Sequence, residues 1–103
     1  MSGKKHTVIL IQHTPQFSTR TYVDFDSVNG AMDAIVKMYE HKLKELNPGI
    51  QHITYDISDL YNYIDSLHDI CGLVCDPATS VYEPKGRDWI KAKVFQQLKQ
   101  QAA

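Results

Sequence analysis

The stretch Thr7-Val8-Ile9-Leu10-Ile11-Gln12 decides the fold, because it predicts a β-strand that is apolar on both of its faces. Side chains alternate along a strand, so Val8 and Leu10 point to one side and Ile9 and Ile11 to the other. One apolar side can pack on the protein's own helices. The other side needs a second cover, and a second copy of the chain is the simplest one.

Length and composition predict a single globular domain. The chain has 103 residues, of which 43% are hydrophobic, and we expect one domain over 1–103, ordered from about 6 to 98. The formal net charge of −1 provides no broad basic field for nucleic acid. No apolar run approaches the ~20 residues of a membrane helix, and the first residues lack the apolar core of a signal peptide. With two cysteines, the expected location is the nucleus and/or cytoplasm, with reduced thiols.

The first half of the chain predicts a strand pair followed by a long amphipathic helix. Strand one is expected over His6–Thr14 and strand two over Thr19–Phe25, which is rich in strand-forming residues. Ser27 is the expected N-cap of a helix that ends at Asn47-Pro48-Gly49. Apolar side chains recur along this helix at three- and four-residue spacing: Val28, Ala31, Met32, Ile35, Tyr39, Leu43 and Leu46.

A second helix follows a short extended segment at Ile53-Thr54-Tyr55. Either Asp56 or Ser58 can cap it, because both side chains can accept a hydrogen bond at a helix start. Its apolar face is expected to hold Ile57, Leu60, Tyr61, Ile64, Leu67 and His68.

The rest of the chain predicts two more strands and a last helix. The strands are expected at Cys71–Cys75 and Ser80–Glu83, and the helix begins near Arg87 and frays from Gln100. The order β-β-α-α-β-β-α predicts an α+β fold. A four-stranded antiparallel sheet would carry three amphipathic helices on one face and use the other face for a homodimer.

The residue pattern predicts no catalytic residue, no cofactor and no metal. The five histidines lack metal-ligand spacing, and Cys71 and Cys75 form a lone C-x3-C that is more typical of small buried hydrophobic residues. Nucleophile-elbow and phosphate-binding glycine motifs are absent from the sequence. The paired acids are explained better by their places near helix starts: Asp24 with Asp26, and Asp56 with Asp59.

Basic residues around Trp89 offer an alternative function, direct binding of RNA by a dimer. Arg87, Lys91 and Lys93 could form a basic and aromatic patch with it. However, the aromatic-rich strands of RNA-recognition sheets are missing, and strand one has no aromatic residue. The sequence favours the simpler interpretation, in which Trp89 anchors the last helix and the basic side chains are solvated.

Two tetrapeptides place a hydroxyl three residues before an acid, a spacing that acidophilic kinases favour. They are Thr21-Tyr22-Val23-Asp24 and Ser80-Val81-Tyr82-Glu83. A phosphate on a strand residue that faces an interface would add charge there and oppose packing. Such tetrapeptides are common, so the spacing by itself does not single out either Thr21 or Ser80 as a phosphorylation site.

Several segments occur in an order and at a spacing that match a known family. They are His6–Gln12; Arg20-Thr21-Tyr22, Ser27-Val28-Asn29 and Lys37-Met38-Tyr39-Glu40; Ile53-Thr54-Tyr55-Asp56-Ile57-Ser58; and Asp88-Trp89-Ile90-Lys91. Together they resemble the enhancer of rudimentary homolog family, from about His6 to Leu98.

The resemblance implies a small α+β fold that forms a homodimer through its sheets and has no established enzyme activity. It also implies an adaptor in RNA processing and gene regulation, including splicing, RNA decay and small-RNA pathways. Its partners would be short segments of larger proteins rather than nucleic acid or membrane. The predicted dimer interface comprises Val8, Leu10, Gln12 and Tyr22, and Thr21 would match a phosphorylation site proposed for the family.

Some positions depart from the family pattern. A second phosphorylation site would fall on Ser27, but Gly30 replaces the acid that such a motif needs, so Ser27 is better interpreted as a helix cap. The segments 69–75 and 83–87 differ from common members, and Lys4 and Lys5 precede strand one. The chain resembles a diverged member or paralogue, whose partners can differ from those of better-known proteins.

Overall fold

A computed structural model describes residues 5–49 and 54–102. The predicted element order β-β-α-α-β-β-α is confirmed, with a short 3-10 turn at Phe17–Thr19 before the second strand. The strands are β1 (Thr7–Gln12), β2 (Arg20–Phe25), β3 (Asp69–Asp76) and β4 (Val81–Lys85). The helices are α1 (Val28–Leu46), α2 (Ile57–Ser66) and α3 (Arg87–Ala102).

The four strands form one antiparallel sheet in the order β2-β1-β3-β4. β1 is therefore an inner strand, and Leu10 lies between Tyr22 of β2 and Cys71 of β3. An inner strand exposes no free backbone edge, which explains why β1 carries no charged side chain between Thr7 and Gln12.

The helices cover one face of the sheet. Ile9 and Ile11 are 3% and 6% exposed, whereas Leu10 is 38% exposed, so the predicted division of β1 into two apolar faces is confirmed. The core between sheet and helices is aliphatic, and its most buried members are Ala31, Met32, Ile35, Leu60, Ile64, Ile90 and Val94. Burying such side chains is the main favourable term in folding.

Helix α1 begins and ends where local sequence predicts. The Ser27 hydroxyl accepts a hydrogen bond from the Gly30 N–H at 3.0 Å, and the Asn47 side chain donates to the Leu43 carbonyl at 3.1 Å. The assignment of Leu46 to the apolar stripe is wrong, because this side chain is 65% exposed in the last turn of α1. The side chains of a periodic apolar stripe are buried only where neighbouring elements cover the helix.

Asp56, not Ser58, is the N-cap of α2. Its N–H donates to Asp59 Oδ2 at 3.2 Å, and the Ser58 hydroxyl donates to Asp56 Oδ1 at 2.9 Å. The helix ends at Ser66, so the prediction that it includes Leu67 and His68 is wrong. Of the short segment predicted before α2, Ile53 lies outside the described residues.

The strand boundaries differ from those expected. β1 starts one residue later and stops at Gln12, and β3 is longer at both ends than the predicted Cys71–Cys75. β4 continues through Pro84 to Lys85, which is possible because an edge strand tolerates a residue without an N–H. α3 continues to Ala102, beyond the position at which fraying is predicted. Among the described helices, none combines the length and apolar character needed to cross a bilayer.

Candidate functional site

The sheet face opposite the helices, here called the open face, is the largest candidate site. Strand alternation and register place an apolar group at its centre: Val8, Leu10, Tyr22, Cys71, Leu73 and Pro84. The Tyr22 side chain is 72% exposed, and Val8 and Leu73 are half-buried. The open face therefore presents apolar side chains that the chain itself leaves accessible.

A polar cluster around His6 lies at one end of the open face. Nε2 of His6 is 2.8 Å from Asp24 Oδ2, and Nδ1 is 2.7 Å from the Tyr82 hydroxyl. A carboxylate only accepts, so Nε2 carries a proton, and in the neutral imidazole Nδ1 accepts from Tyr82. The His6 hydrogen bond holds the pKa of Asp24 below its ordinary value. Partial burial and the neighbouring Cys75 raise the pKa of Tyr82.

Gln12 and Arg20 form a second polar group at the opposite end of the open face. Arg20 Nε donates to Gln12 Oε1 at 2.7 Å, while Gln12 Nε2 donates to the Thr14 carbonyl at 2.8 Å. The Arg20 guanidinium lies 4.4 Å from the centre of the Phe17 ring. An apolar centre between two polar ends is the typical anatomy of a protein interface.

The predicted interface residues do lie on one face of the sheet, but they differ in exposure. Val8, Leu10 and Tyr22 are close together and present apolar surface. Gln12 is only 4% exposed and is held by Arg20 and Thr14, so it offers little free surface in this protomer.

Sequence reasoning missed three members of the open face, His6, Leu73 and Tyr82. Alternation shows that positions 71, 73 and 75 share a face, but it does not say which one. Only the antiparallel pairing of Val8 with Leu73 places Leu73 beside β1, and only the pairing of Cys75 with Tyr82 places Tyr82 on the same face of β4.

Cys71 and Cys75 are free, half-buried thiols on the open face. The sequence predicts small buried hydrophobic residues here, whereas both side chains are only partly buried. Four positions along a strand correspond to about 13 Å, well beyond the Cα separation that a disulfide allows. The two thiols cannot form a bond with each other within one chain.

Thr21 is exposed but lies on the helix side of the sheet. It pairs with Ile11 on β1 and borders a small apolar cavity of about 50 Å³ that also contacts Met38. A phosphate on Thr21 would therefore not enter the open face. The argument that phosphorylation opposes packing at the open face does not apply to this residue.

Two of the three basic residues around Trp89 form contacts that stabilise the fold. Arg87 donates to the backbone carbonyls of Asp65, Leu67 and His68 at 3.0, 3.1 and 3.5 Å, which completes the end of α2. Lys91 Nζ lies 2.8 Å from Asp65 Oδ2. Lys93 is the member of this set with no ion pair to a described residue. Arg87 and Lys91 are therefore held by contacts within the fold, which disfavours the alternative of an RNA-binding patch.

Within residues 5–49 and 54–102, no three His, Cys, Asp or Glu side chains converge on one point. The arrangement on the open face offers hydrogen bonds and apolar contact, which are the means of binding another protein surface.

Comparison with known proteins shows the family to which this chain is similar. The family model for "Enhancer of rudimentary" matches residues 3–103. An Arabidopsis thaliana enhancer of rudimentary homolog is 51% identical over 98 residues, covering 95% of this chain and 90% of the relative. The Drosophila virilis protein enhancer of rudimentary is 46% identical over 94% of this chain and 93% of its own length. A Caenorhabditis elegans homolog is 34% identical over 87% of both chains. The chain therefore belongs to the enhancer of rudimentary family.

Proposed function

We propose that this protein is a small, non-enzymatic homodimeric adaptor that binds segments of larger RNA-regulatory proteins. The observation that supports this best is the apolar centre of the open face, around Leu10 and Tyr22. From strand spacing and rise, four strands present a face of about 19 by 20 Å. Apolar patches of a few hundred Å² mark interaction sites. A second copy related by a two-fold axis would cover the face with an identical surface.

Family membership supports the rest of the proposal. The enhancer of rudimentary family is not a known enzyme family. Resemblance to this family implies a role in RNA processing, RNA decay and small-RNA pathways, in the nucleus and/or cytoplasm. A symmetric dimer carries every binding groove twice, so it can bring together two copies of a partner segment.

Direct RNA binding is the less favoured function, because Arg87 and Lys91 are engaged within the fold. If RNA were the main ligand, the pure protein would bind an unstructured RNA oligonucleotide without any partner. Its affinity would fall steeply with salt, as phosphate contacts release counterions.

Light scattering on the pure protein tests the dimer directly. We expect a mass of twice the 11.8 kDa chain at micromolar concentration, and a clean monomer would overturn the proposal. Partner proteins can be identified by affinity purification and mass spectrometry. Calorimetry with a purified partner segment should then give two segments per dimer, whereas one per dimer at saturation contradicts two equivalent sites.

A further inference from the structure

A groove of about 370 Å³ lies on the helix side of the sheet and reaches Cys75 of β3. β3 and β4 contribute Val74 and Glu83 to it, and the first turn of α1 borders it at Val28 and Asn29. One side of α3 completes it with residues three or four positions apart: Trp89, Lys93, Gln96 and Gln100. The volume falls in the range of ligand-binding clefts.

Three lysines border this groove, and two of them flank Trp89. The Nζ atoms of Lys85 and Lys93 each lie 5.6 Å from the centre of the indole ring. Lys5 lines the same groove. Cation–π contact holds the two ammonium groups beside the half-buried ring.

The acids of the groove are already engaged by the fold. Asp76 Oδ1 accepts from the Ala78 N–H at 2.9 Å, and Glu83 Oε2 lies 3.6 Å from Lys85 Nζ. Lys5 and Lys93 form no ion pair with any residue in 5–49 or 54–102. Its three lysines outnumber its two acids, so the residues that line the groove keep one net positive charge.

The chemistry of the groove favours a peptide over a nucleic acid. Asp76 and Glu83 stand among the lysines, so a continuous phosphate backbone would meet like charge. A peptide can place carboxylates at the lysines and an apolar side chain against Trp89. Exposed ion pairs contribute little singly, and the indole supplies the apolar contact that an anchor residue needs.

We propose that this groove binds an acidic segment of a partner protein that carries an apolar side chain between its carboxylates. Lys85 and Lys93 would contact the carboxylates, and Trp89 would contact the apolar side chain. This inference rests on the proposed adaptor role for its biological purpose. The groove itself lies within one protomer, so peptide binding and dimer formation are measured separately.

Trp89 is the single tryptophan of the chain, so its fluorescence reports on the groove directly. The probe is an acetylated peptide in which glutamates flank a central phenylalanine. The matched control peptide has glutamines in place of the glutamates. We expect a saturable change in Trp89 emission with the glutamate peptide at low salt, and binding weaker by at least about fivefold for the glutamine peptide.

Protein variants test whether the lysines are responsible. Lys93→Gln should weaken binding of the glutamate peptide about two- to fivefold, and Lys85→Gln with Lys93→Gln together should weaken it further. Lys42→Gln, which removes an exposed lysine of α1 outside the groove, should leave the affinity unchanged. Circular dichroism melting curves show whether each variant is folded.

Three results would overturn the proposal. The first is that the glutamate and glutamine peptides bind with equal affinity. The second is that Lys93→Gln and Lys42→Gln bind the glutamate peptide equally well. The third is that an oligouridylate binds more tightly than the peptide and displaces it. Light scattering on the same samples reports the dimer independently. If the protein is a dimer that does not bind the peptide, only the proposal for the groove is overturned. If it is a monomer that binds the peptide, only the proposal of a homodimer is overturned.

Discussion

Nε2 of His6 lies 2.8 Å from Oδ2 of Asp24, and this contact ties the residue before β1 to the edge strand β2. Through its other nitrogen the same ring reaches Tyr82 on the opposite edge strand, β4. One imidazole thus links both edges of the sheet across the open face. It defines one polar end of the surface that we propose as the dimer interface.

The His6–Asp24 contact predicts a specific dependence of stability on pH. In the folded state, the hydrogen bond to His6 lowers the pKa of Asp24 below its ordinary value of 3.8. The carboxylate therefore stabilises the fold above its unfolded pKa, and this contribution is lost as pH falls through the lowered folded value. Asp24→Asn should be less stable than wild type near neutral pH, and the difference should vanish in strong acid.

Urea denaturation at a series of pH values and one protein concentration measures this difference. Asp69→Asn is the matched control, since it removes an exposed carboxylate on β3 for which the described chain provides no ion pair. A difference for Asp24→Asn that persists unchanged into strong acid would contradict the assignment.

Leu10→Arg should convert the protein to a monomer. Leu10 lies at the centre of the open face, between Tyr22 and Cys71, and an arginine there would bury an unpaired charge at the interface. Light scattering gives the mass. Leu46→Arg, at an exposed leucine in the last turn of α1, should leave the mass unchanged. A Leu10→Arg protein that remains dimeric would place the interface elsewhere.

Arg87→Ala should destabilise the fold by about 1–3 kcal/mol, because it leaves carbonyl groups at the end of α2 without their charged donor. In the native chain Arg87 reaches the carbonyls of Asp65 and Leu67 at 3.0 and 3.1 Å. Arg87→Lys should recover only part of the loss, since an ammonium group lacks the planar fork of a guanidinium. Denaturant midpoints of Arg87→Ala and of the control Lys42→Ala measure the effect. If the two variants have equal midpoints, the prediction is wrong.

Tyr55→Phe should reduce stability at neutral pH by about 1 kcal/mol. The Tyr55 hydroxyl donates to Glu40 Oε2 at 2.9 Å, and its ring packs edge-on against Tyr39 at 5.0 Å. Burial, and then the hydrogen bond to Glu40, raise the pKa of Tyr55. The hydroxyl therefore contributes fully below its unfolded pKa of 10.0 and loses its contribution as pH rises through the folded value.

Thermal melts from neutral to strongly alkaline pH test this prediction. The melting temperature of Tyr55→Phe should fall less steeply above about pH 10 than that of wild type. The control is Tyr61→Phe, which removes a hydroxyl that donates no hydrogen bond within the described chain. Parallel curves for wild type and Tyr55→Phe would show that the hydroxyl is not linked to stability in this way.

The limits of α1 and the order of the strands followed from local chemistry. Ser27 precedes the first residue of α1 and Asn47 follows its last, because each side chain forms a hydrogen bond with a backbone group of the helix. Such contacts can be inferred from sequence spacing. The predictions from sequence were wrong where neighbouring elements decide whether a residue is buried or paired. Leu46 continues a periodic stripe but is left exposed, and Pro84 is accepted in a strand because β4 lies at the edge of the sheet.

The sequence by itself determined that β1 has two apolar faces, because alternation along a strand is a property of the backbone. It also determined the order of elements and the family. Only the tertiary structure decided that β1 lies inside the sheet and that His6 meets Asp24 and Tyr82. It also decided that β3, β4 and the first turn of α1 meet α3 at one groove. Strand pairing brings together residues far apart in the chain, and no local preference encodes which distant strands become neighbours.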